Sequence, residues 1–359
     1  MFYELTWKIG LNTQNNVTMS KKILIMAGGT GGHIFPALSI AKELSKRGAI
    51  VEWLGGRDSM ESNLVPNHEI KFNGVFTSGI RGKKLFTIIR ALFLLSFGFV
   101  QTMIVFIRYR PNAVIGMGGY ASGIGGLIAK IFFIPLFLHE QNTIPGSTNK
   151  LLSKISTLNF QAFDDSFDEG VKAITTGNPI LFKPRSKQIP SEVKNLLILG
   201  GSLGAKKINE TIPQITSPLN IWHQTGKSHF DEVKAFYNSS DHPQAKIESF
   251  INNMDEAYAW ADMVVCRAGA MTVSELIATE TIAILIPFPY AIDDHQTVNA
   301  QYLSKKEAGI LIDEKNLTPE VIDEEISQLS PEKLKRMNKS LGLLKVQYPE
   351  RLIVDYLLN

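Results

Sequence analysis

Two stretches far apart in the chain repeat one pattern. Residues 23–32 and 196–205 each run from a short apolar strand into a glycine-rich turn, GGTGG and GGSLGA, and then into a helix. Other β-rich apolar runs, Ile50–Leu54, Ala113–Ile115, Leu136–Leu138, Met263–Val265 and Ile282–Ile286, alternate with helical segments. Strands that are apolar throughout are covered on both faces, and helices between them imply parallel pairing. The stretch TGNPILFKPRSKQIPSE divides the two halves, and Pro179, Pro184 and Pro190 discourage both helix and central strand there. The pattern predicts an α/β protein with two similar domains, their parallel sheets facing each other across a cleft. Ligands of such sheets bind beyond the carboxyl ends of the strands, so the cleft should collect loops from both halves.

A length of 359 residues exceeds one ordinary core and agrees with two domains. We read residues 1–20 as a disordered extension or a misassigned start, with a second methionine at Met19. Residues 21–180 form the first domain, 181–194 the linker and 195–340 the second domain. Residues 341–359 form a helical tail placed to pack back on the first domain. The chain is read as helical from about Leu303, and LTPEV and LSPEK each set Thr or Ser before Pro and Glu, a helix-start pattern. The lone Cys266 excludes an internal disulfide framework and fits a reducing compartment. A net charge of +3 does not point to nucleic acid.

A turn of small residues between strand and helix lets a ligand approach the backbone, and the helix amino end offers N–H groups to an anion. That favours phosphate, although tight βα turns use glycine without any ligand. A dinucleotide fingerprint fails at the first turn, where Gly29-x-Gly31 is followed by Ile34; it is met by Gly116, Gly118 and Ala121 only within a glycine-rich run where chance suffices. A P-loop is absent, since Ile221 stands where TGKS would need its leading glycine. In the second half, VVCRAGAMTVSELIA places a turn at Gly269 and Ala270 before a helix. Glu275 follows Gly269 by six residues, about 9 Å along a helix, roughly the separation of a diphosphate from a ribose. A carboxylate there would accept two ribose hydroxyls, or would merely complement the helix dipole.

SFINNMDEAYAWADMVVCRAGAMTVSE at 249–275 closely resembles the nucleotide-binding segment of the MurG family, bacterial transferases that add N-acetylglucosamine to undecaprenyl-pyrophosphoryl-N-acetylmuramoyl-pentapeptide. AGGTGGHIFPALSIA, GMGGYASGIGG, HEQNTIPG, GGSLGAKKIN and DDHQTVNAQ follow in that family's order, so the resemblance covers about residues 21–310. It implies the GT-B fold and UDP-N-acetylglucosamine as donor, with Ser202 on phosphate and the backbone of Ile251 on uracil. Met271 and Thr272 would lie at the diphosphate, Glu275 on the ribose and Gln296 on the sugar hydroxyls, with Ala270, Val273 and Ser274 also binding the donor. Thr30, Gly31, Gly32 and Asn142 would close over the donor from the first domain. Gly118, Gly119 and Tyr120 would meet the pyrophosphate of a lipid-linked acceptor, or serve tight packing. One departure is Leu181, where many relatives carry Arg; Lys183 replaces that charge only in part.

The implied reaction is attack of a sugar 4-hydroxyl on the anomeric carbon, displacing UDP with inversion, in peptidoglycan synthesis. No Asp-x-Asp pair occurs in the chain, so helix amides at 269–272 and the turn at 200–204 would stabilise the departing charge, without metal or cofactor. His33 and Glu140 both remain candidates for the base, each with a structural alternative as a loop-holding group.

Residues 85–107 are the most apolar run, but Gln101 and Thr102 interrupt it, and strand-like segments on both sides belong to one sheet. It reads as a crossover helix that dips into a membrane through Phe86, Ile89 and Phe93. Arg81, Lys83, Lys84 and Arg90 would face anionic headgroups, alongside Arg108 and Arg110; a wholly buried helix with a solvated rim is the plainer alternative. The resemblance implies peripheral attachment at the cytoplasmic face of the cell membrane and admits cell-wall synthesis proteins as partners. Three rival readings stand beside it: a UDP-sugar epimerase of related fold, a transferase making glycosyl-diacylglycerol, and a non-enzymatic scaffold.

Overall fold

The computed structural model describes residues 20–76, 85–184, 188–291 and 294–359, excluding the side chains of 85–94. Nearly all of the 1–20 extension, residues 1–19, lies outside it. So do Arg81, Lys83 and Lys84 and the side chains of Phe86, Ile89, Arg90 and Phe93.

The first domain runs β1 (Lys22–Met26), α1 (Gly31–Lys46), β2 (Ile50–Gly56), α2 (Met60–Leu64), β3 (Lys71–Val75), α3 (Leu85–Tyr109) and β4 (Ala113–Gly116). It continues through α4 (Gly119–Ile131), β5 (Leu136–Glu140), α5 (Ser147–Leu152), β6 (Leu158–Gln161) and β7 (Ala173–Thr175). Its strands lie in the order β3-β2-β1-β4-β5-β6-β7, and every pairing is parallel. The second domain runs β8 (Asn195–Leu199), α6 (Lys206–Thr211), β9 (Asn220–Gln224), α7 (Phe230–Asn238), β10 (Lys246–Glu248) and α8 (Met254–Trp260). Then come β11 (Met263–Cys266), α9 (Ala270–Thr279), β12 (Ile282–Leu285), α10 (His295–Ser304) and β13 (Ile310–Leu311), followed by α11 (Pro319–Ser327), α12 (Pro331–Leu344) and α13 (Pro349–Leu358). Its strand order is β10-β9-β8-β11-β12-β13, again parallel.

Both sheets are therefore doubly wound, and each reverses direction beside its first strand. The switch points lie between β1 and β4 and between β8 and β11, where ligands of open parallel sheets bind. All the glycine turns singled out in the sequence, at 27–30, 117–118, 200–205 and 267–269, occupy these two points.

The apolar runs explain the layers. In β1, Ile23 and Ile25 pack on one face with Ile34, Leu38 and Leu44 of α1, while Leu24 and Met26 pack on the other with Val105 and Phe106 of α3 and Ile128 of α4. Burying each such side chain contributes about 1.5–3 kcal/mol. Ile353, Val354 and Leu357 of α13 complete the α1 face of this first sheet, and Lys21 Nζ donates to the Leu358 carbonyl at 2.6 Å. The chain thus crosses between domains twice, at the linker and again before Pro349. The boundary drawn at 340 falls within α12.

The two helix starts form as their residues dictate. Pro319 and Pro331 occupy first-turn positions, the Thr318 hydroxyl accepts from Val321 N–H, and that of Ser330 accepts from Lys333 N–H. The wholly helical tail needs correction: β13 pairs with β12 at the sheet edge and is only two residues long, too short to leave a pattern. Among the described residues, no helix is long and apolar enough to cross a membrane.

Candidate active site

In the first domain the β1–α1 and β4–α4 turns touch. A Cβ on Gly119 would stand 2.8 Å from the Gly28 carbonyl oxygen, and one on Gly118 would stand 3.0 Å from Cε1 of His33. Both glycines also have positive φ, so packing and backbone each require glycine there. Beneath them lies Glu61, 1% exposed, whose carboxylate accepts the N–H groups of Gly29 at 3.3 Å and Gly56 at 2.9 Å. The Gly29 N–H is thus already taken by a carboxylate, so the backbone donors this turn can offer a ligand lie at its far end. Thr30 caps α1 without a side-chain bond, and the N–H groups of Gly31 and Gly32 precede the first turn's bonds to the Thr30 carbonyl. Pro36 lacks an N–H and so cannot donate to the Gly32 carbonyl. Tyr120 is exposed at the start of α4.

His33 is half-buried, and its Nδ1 lies 2.6 Å from Oε1 of Gln141. Gln141 in turn donates to Nδ1 of His139 at 3.0 Å, and Nε2 of His139 reaches the Gly177 carbonyl at 3.0 Å. Glu140 behaves differently. It is 1% exposed at the end of β5, and its oxygens accept from the N–H groups of Asn142 (2.9 Å) and Gly146 (3.1 Å) and from the side-chain amides of Asn149 (2.9 Å) and Asn142 (3.3 Å). A carboxylate engaged by four donors organises the 141–149 loop; of the two candidate bases, only His33 stands at the switch point.

In the second domain, Gly201 and Gly204 take positive φ, and Ser202 is exposed on the turn between them. Gln224 ties this turn to the neighbouring loop: its amide nitrogen donates to the Gly201 carbonyl at 3.1 Å, and its oxygen accepts the N–H of Ile251 at 2.9 Å. The Ile251 N–H is therefore occupied, leaving its carbonyl as the group that can read a base. At α9, Gly269 caps the helix without a side-chain bond, and Val273 makes the first bond back to Gly269. The amides of Ala270, Met271 and Thr272 are thus free to face an anion. The side chains of Val273 and Ala270 lie in the domain core, so only their backbones can serve a ligand. Ser274 is turned away, toward the first domain. Glu275, half-buried, accepts the Tyr258 hydroxyl at 2.9 Å; burial pushes its carboxyl up to about 7, against that hydrogen bond. Gln296 accepts the Phe288 N–H at 3.0 Å, which leaves its NH2 group for a ligand.

The two walls are joined at a seam. Asn299, fully buried on α10, accepts from the Thr143 N–H at 3.1 Å and hydroxyl at 2.8 Å, and donates to the Ala268 carbonyl at 3.1 Å. Its amide also comes within 3.5 Å of the Asn142 oxygen. Asn178 donates to the Ser274 hydroxyl at 2.9 Å and to the Gln141 carbonyl at 3.0 Å. Sequence reasoning missed Gln141, His139, Asn178 and Asn299, although each sits inside or beside a quoted motif. It also missed Tyr258, inside the 249–275 stretch, and Glu61 and Gln224, which no motif marks.

A cavity of about 470 Å3 lies between the two interdomain crossings and reaches the Asn178–Ser274 contact. Ser39, Leu181, Lys183, Ser274, Val346 and Tyr348 help to line it, so Leu181 and Lys183 face the hinge. Among the described residues, no three His, Cys, Asp or Glu side chains cluster so as to hold a metal ion.

Residues 23–160 match the glycosyltransferase family 28 N-terminal domain, and residues 195–348 match that family's C-terminal domain. The chain is 52% identical, over 94% of its length and 98% of the relative's, to a UDP-N-acetylglucosamine–N-acetylmuramyl-(pentapeptide) pyrophosphoryl-undecaprenol N-acetylglucosamine transferase of Vesicomyosocius okutanii. It is 44% identical to the protein of that name from Methylococcus capsulatus, over 83% of the chain and 86% of the relative. The crystal structure of Acinetobacter baumannii MurG superposes with a TM-score of 0.79 at 34% identity, covering 94% of this chain and 98% of that one. A UDP-GlcNAc 2-epimerase from Neisseria meningitidis, at 14% identity and a TM-score of 0.65 over 94% of this chain and 99% of its own, shares the fold. Matched along both domains, the chain belongs to glycosyltransferase family 28, within its MurG group of N-acetylglucosaminyltransferases.

Proposed function

We propose that the protein moves N-acetylglucosamine from UDP-N-acetylglucosamine to the 4-hydroxyl of N-acetylmuramoyl-(pentapeptide)-pyrophosphoryl-undecaprenol, inverting the anomeric centre and releasing UDP. The observation that carries this reading is the 52% identity over 94% of the chain to a transferase of that name. The site supports it with a half-buried histidine on one wall and uncapped helix-start amides on the other.

In this reading UDP lies against the second domain. The carbonyl of Ile251 meets the uracil, Glu275 the ribose, and the amides at 270–272 with Ser202 the diphosphate. Gln296 reaches the sugar. Thr30, Gly31, Gly32 and the 141–143 loop close from the first domain. His33 takes the proton from the acceptor hydroxyl as its oxygen bonds to the anomeric carbon. The bond from that carbon to the diphosphate oxygen breaks, and its electron pair leaves with UDP. Fixed N–H groups at the start of α9 stabilise that charge without reorganising.

The acceptor is a lipid, and we place the protein peripherally at the cytoplasmic face of the membrane. Phe97, Val100, Ile104 and Ile107 form one exposed stripe along α3, and Phe133 is 92% exposed just beyond α4. Such a stripe suits the acyl boundary of a bilayer, which basic residues would reinforce. The epimerase reading rests on fold alone.

Product analysis tests the proposal. UDP-N-acetylglucosamine and the lipid-linked N-acetylmuramoyl-pentapeptide should yield a lipid-linked disaccharide with a β-1,4 bond. An isomerised sugar formed without acceptor would replace this reading with the epimerase.

A further inference from the structure

We infer that Gln141 and His139 are positioning residues that hold His33 as its Nδ1–H tautomer, leaving Nε2 as the nitrogen that receives the acceptor's proton. The role of Nε2 rests on His33 being the base; the tautomer itself does not.

Two backbone carbonyls set the direction of the whole chain of hydrogen bonds. Nε2 of His139 lies 3.0 Å from the Gly177 carbonyl, which can only accept, so Nε2 carries the proton. His139 is fully buried, and burial pushes its pKa down to about 4, so the ring is neutral and its Nδ1 is bare. The Gln141 amide faces that bare Nδ1 at 3.0 Å and the His139 carbonyl at 2.9 Å. Both accept, so the NH2 end of Gln141 points to them, and its Oε1 occupies the opposite end. Oε1 lies 2.6 Å from Nδ1 of His33, which must therefore donate. A neutral imidazole has one N–H. With that hydrogen on Nδ1, Nε2 of His33 keeps its lone pair, and it has no hydrogen-bond partner among the described residues.

The arrangement also favours the charged ring formed during reaction. Once Nε2 gains a proton, the bond from Nδ1–H to Oε1 becomes charge-assisted and stronger. The far anchor, Gly177, precedes Asn178, which bonds both the Gln141 carbonyl and Ser274 of the second domain. The base is thus held from the interdomain crossover.

The test is 15N NMR of histidine-labelled protein at pH 8, with His33 assigned by its loss in His33→Gln. We expect an Nδ1–H signal for His33 in the wild type; an Nε2–H signal overturns the inference. In Gln141→Met the tautomer preference should vanish, and kcat should fall about tenfold or more, up to the roughly 10²–10⁴-fold that a positioned base supplies, with the Kd for UDP within twofold. A folded Gln141→Met with wild-type kcat and an unchanged spectrum also overturns it. A His33→Gln variant with wild-type kcat overturns His33 as the base, a failure separate from the tautomer read in the wild-type spectrum.

Discussion

The hydroxyl of Tyr258 donates to the carboxylate of Glu275 at 2.9 Å, yet burial still raises that carboxyl to about 7. Two ribose hydroxyls arriving there would favour the ionised form, so donor binding should release a proton. UDP should bind more tightly as pH rises from 6 to 8 and level off above. Calorimetry in buffers of different ionisation enthalpy should detect up to one proton released near neutral pH. Glu275→Gln should abolish that release and weaken UDP about ten- to hundredfold, as losing a hydrogen bond to a charged group does. The sign for stability is opposite. A carboxyl raised above its ordinary 4.5 favours the protonated fold, so its contribution is present below that pH and lost as pH rises through 7. Without ligand, the Tm of the wild type should fall relative to Glu275→Gln over this window.

Asn299 satisfies groups on both walls of the cleft at once, from the Thr143 N–H and hydroxyl to the Ala268 carbonyl. Asn299→Ala leaves buried polar groups without partners, at about 1–3 kcal/mol each. We expect a lower denaturation midpoint and a lower kcat, measured by urea unfolding and steady-state assay. A stable variant with impaired kcat would mean that the seam serves alignment alone.

Gly28 and Glu61 should be coupled. A Cβ at Gly28 would fall 2.2 Å from Oε1 of Glu61, which cannot move without giving up the Gly29 and Gly56 N–H groups. Gly28→Ala should destabilise the first domain by about 3 kcal/mol, two charge-assisted bonds at the low end of their range. A double-mutant cycle with Glu61→Ala should return much of it as interaction energy.

The exposed stripe of α3 makes a separate forecast. Ile104→Glu and Phe133→Glu should each lower partitioning onto vesicles with anionic lipid by about tenfold or more, since burying such a side chain is worth about 1.5–3 kcal/mol. Both residues lie far from the nucleotide turns in sequence, and UDP affinity should not change. Flotation of the purified variants reads the effect.

The fold was legible where strands were apolar without interruption, as in β1, β4, β8, β11 and β12. β6 and β9 were missed because Asn159, Gln161, His223 and Gln224 interrupt them, although all four are buried. Each has partners that local patterning cannot reveal: His223 lies between Tyr237 and Asn209 at 2.9 and 3.0 Å, and Asn159 donates to the Lys172 carbonyl. The same limit applies at the site. Turn glycines and the helix start of α9 announce themselves in sequence, because backbone geometry demands them. Glu61 beneath the first turn and Tyr258 beside Glu275 come from elements brought together only by folding. Glu140 invited a chemical role from its place at a strand end, and only the surrounding loop discloses that its oxygens are fully engaged.

The central claim is transfer to a lipid-linked sugar, and UDP release by the purified protein tests it most directly. The assay supplies UDP-N-acetylglucosamine with and without lipid-linked N-acetylmuramoyl-pentapeptide, in EDTA. The account predicts release that depends on the acceptor and survives the chelator. Release without acceptor, or none with it despite donor binding, would contradict it.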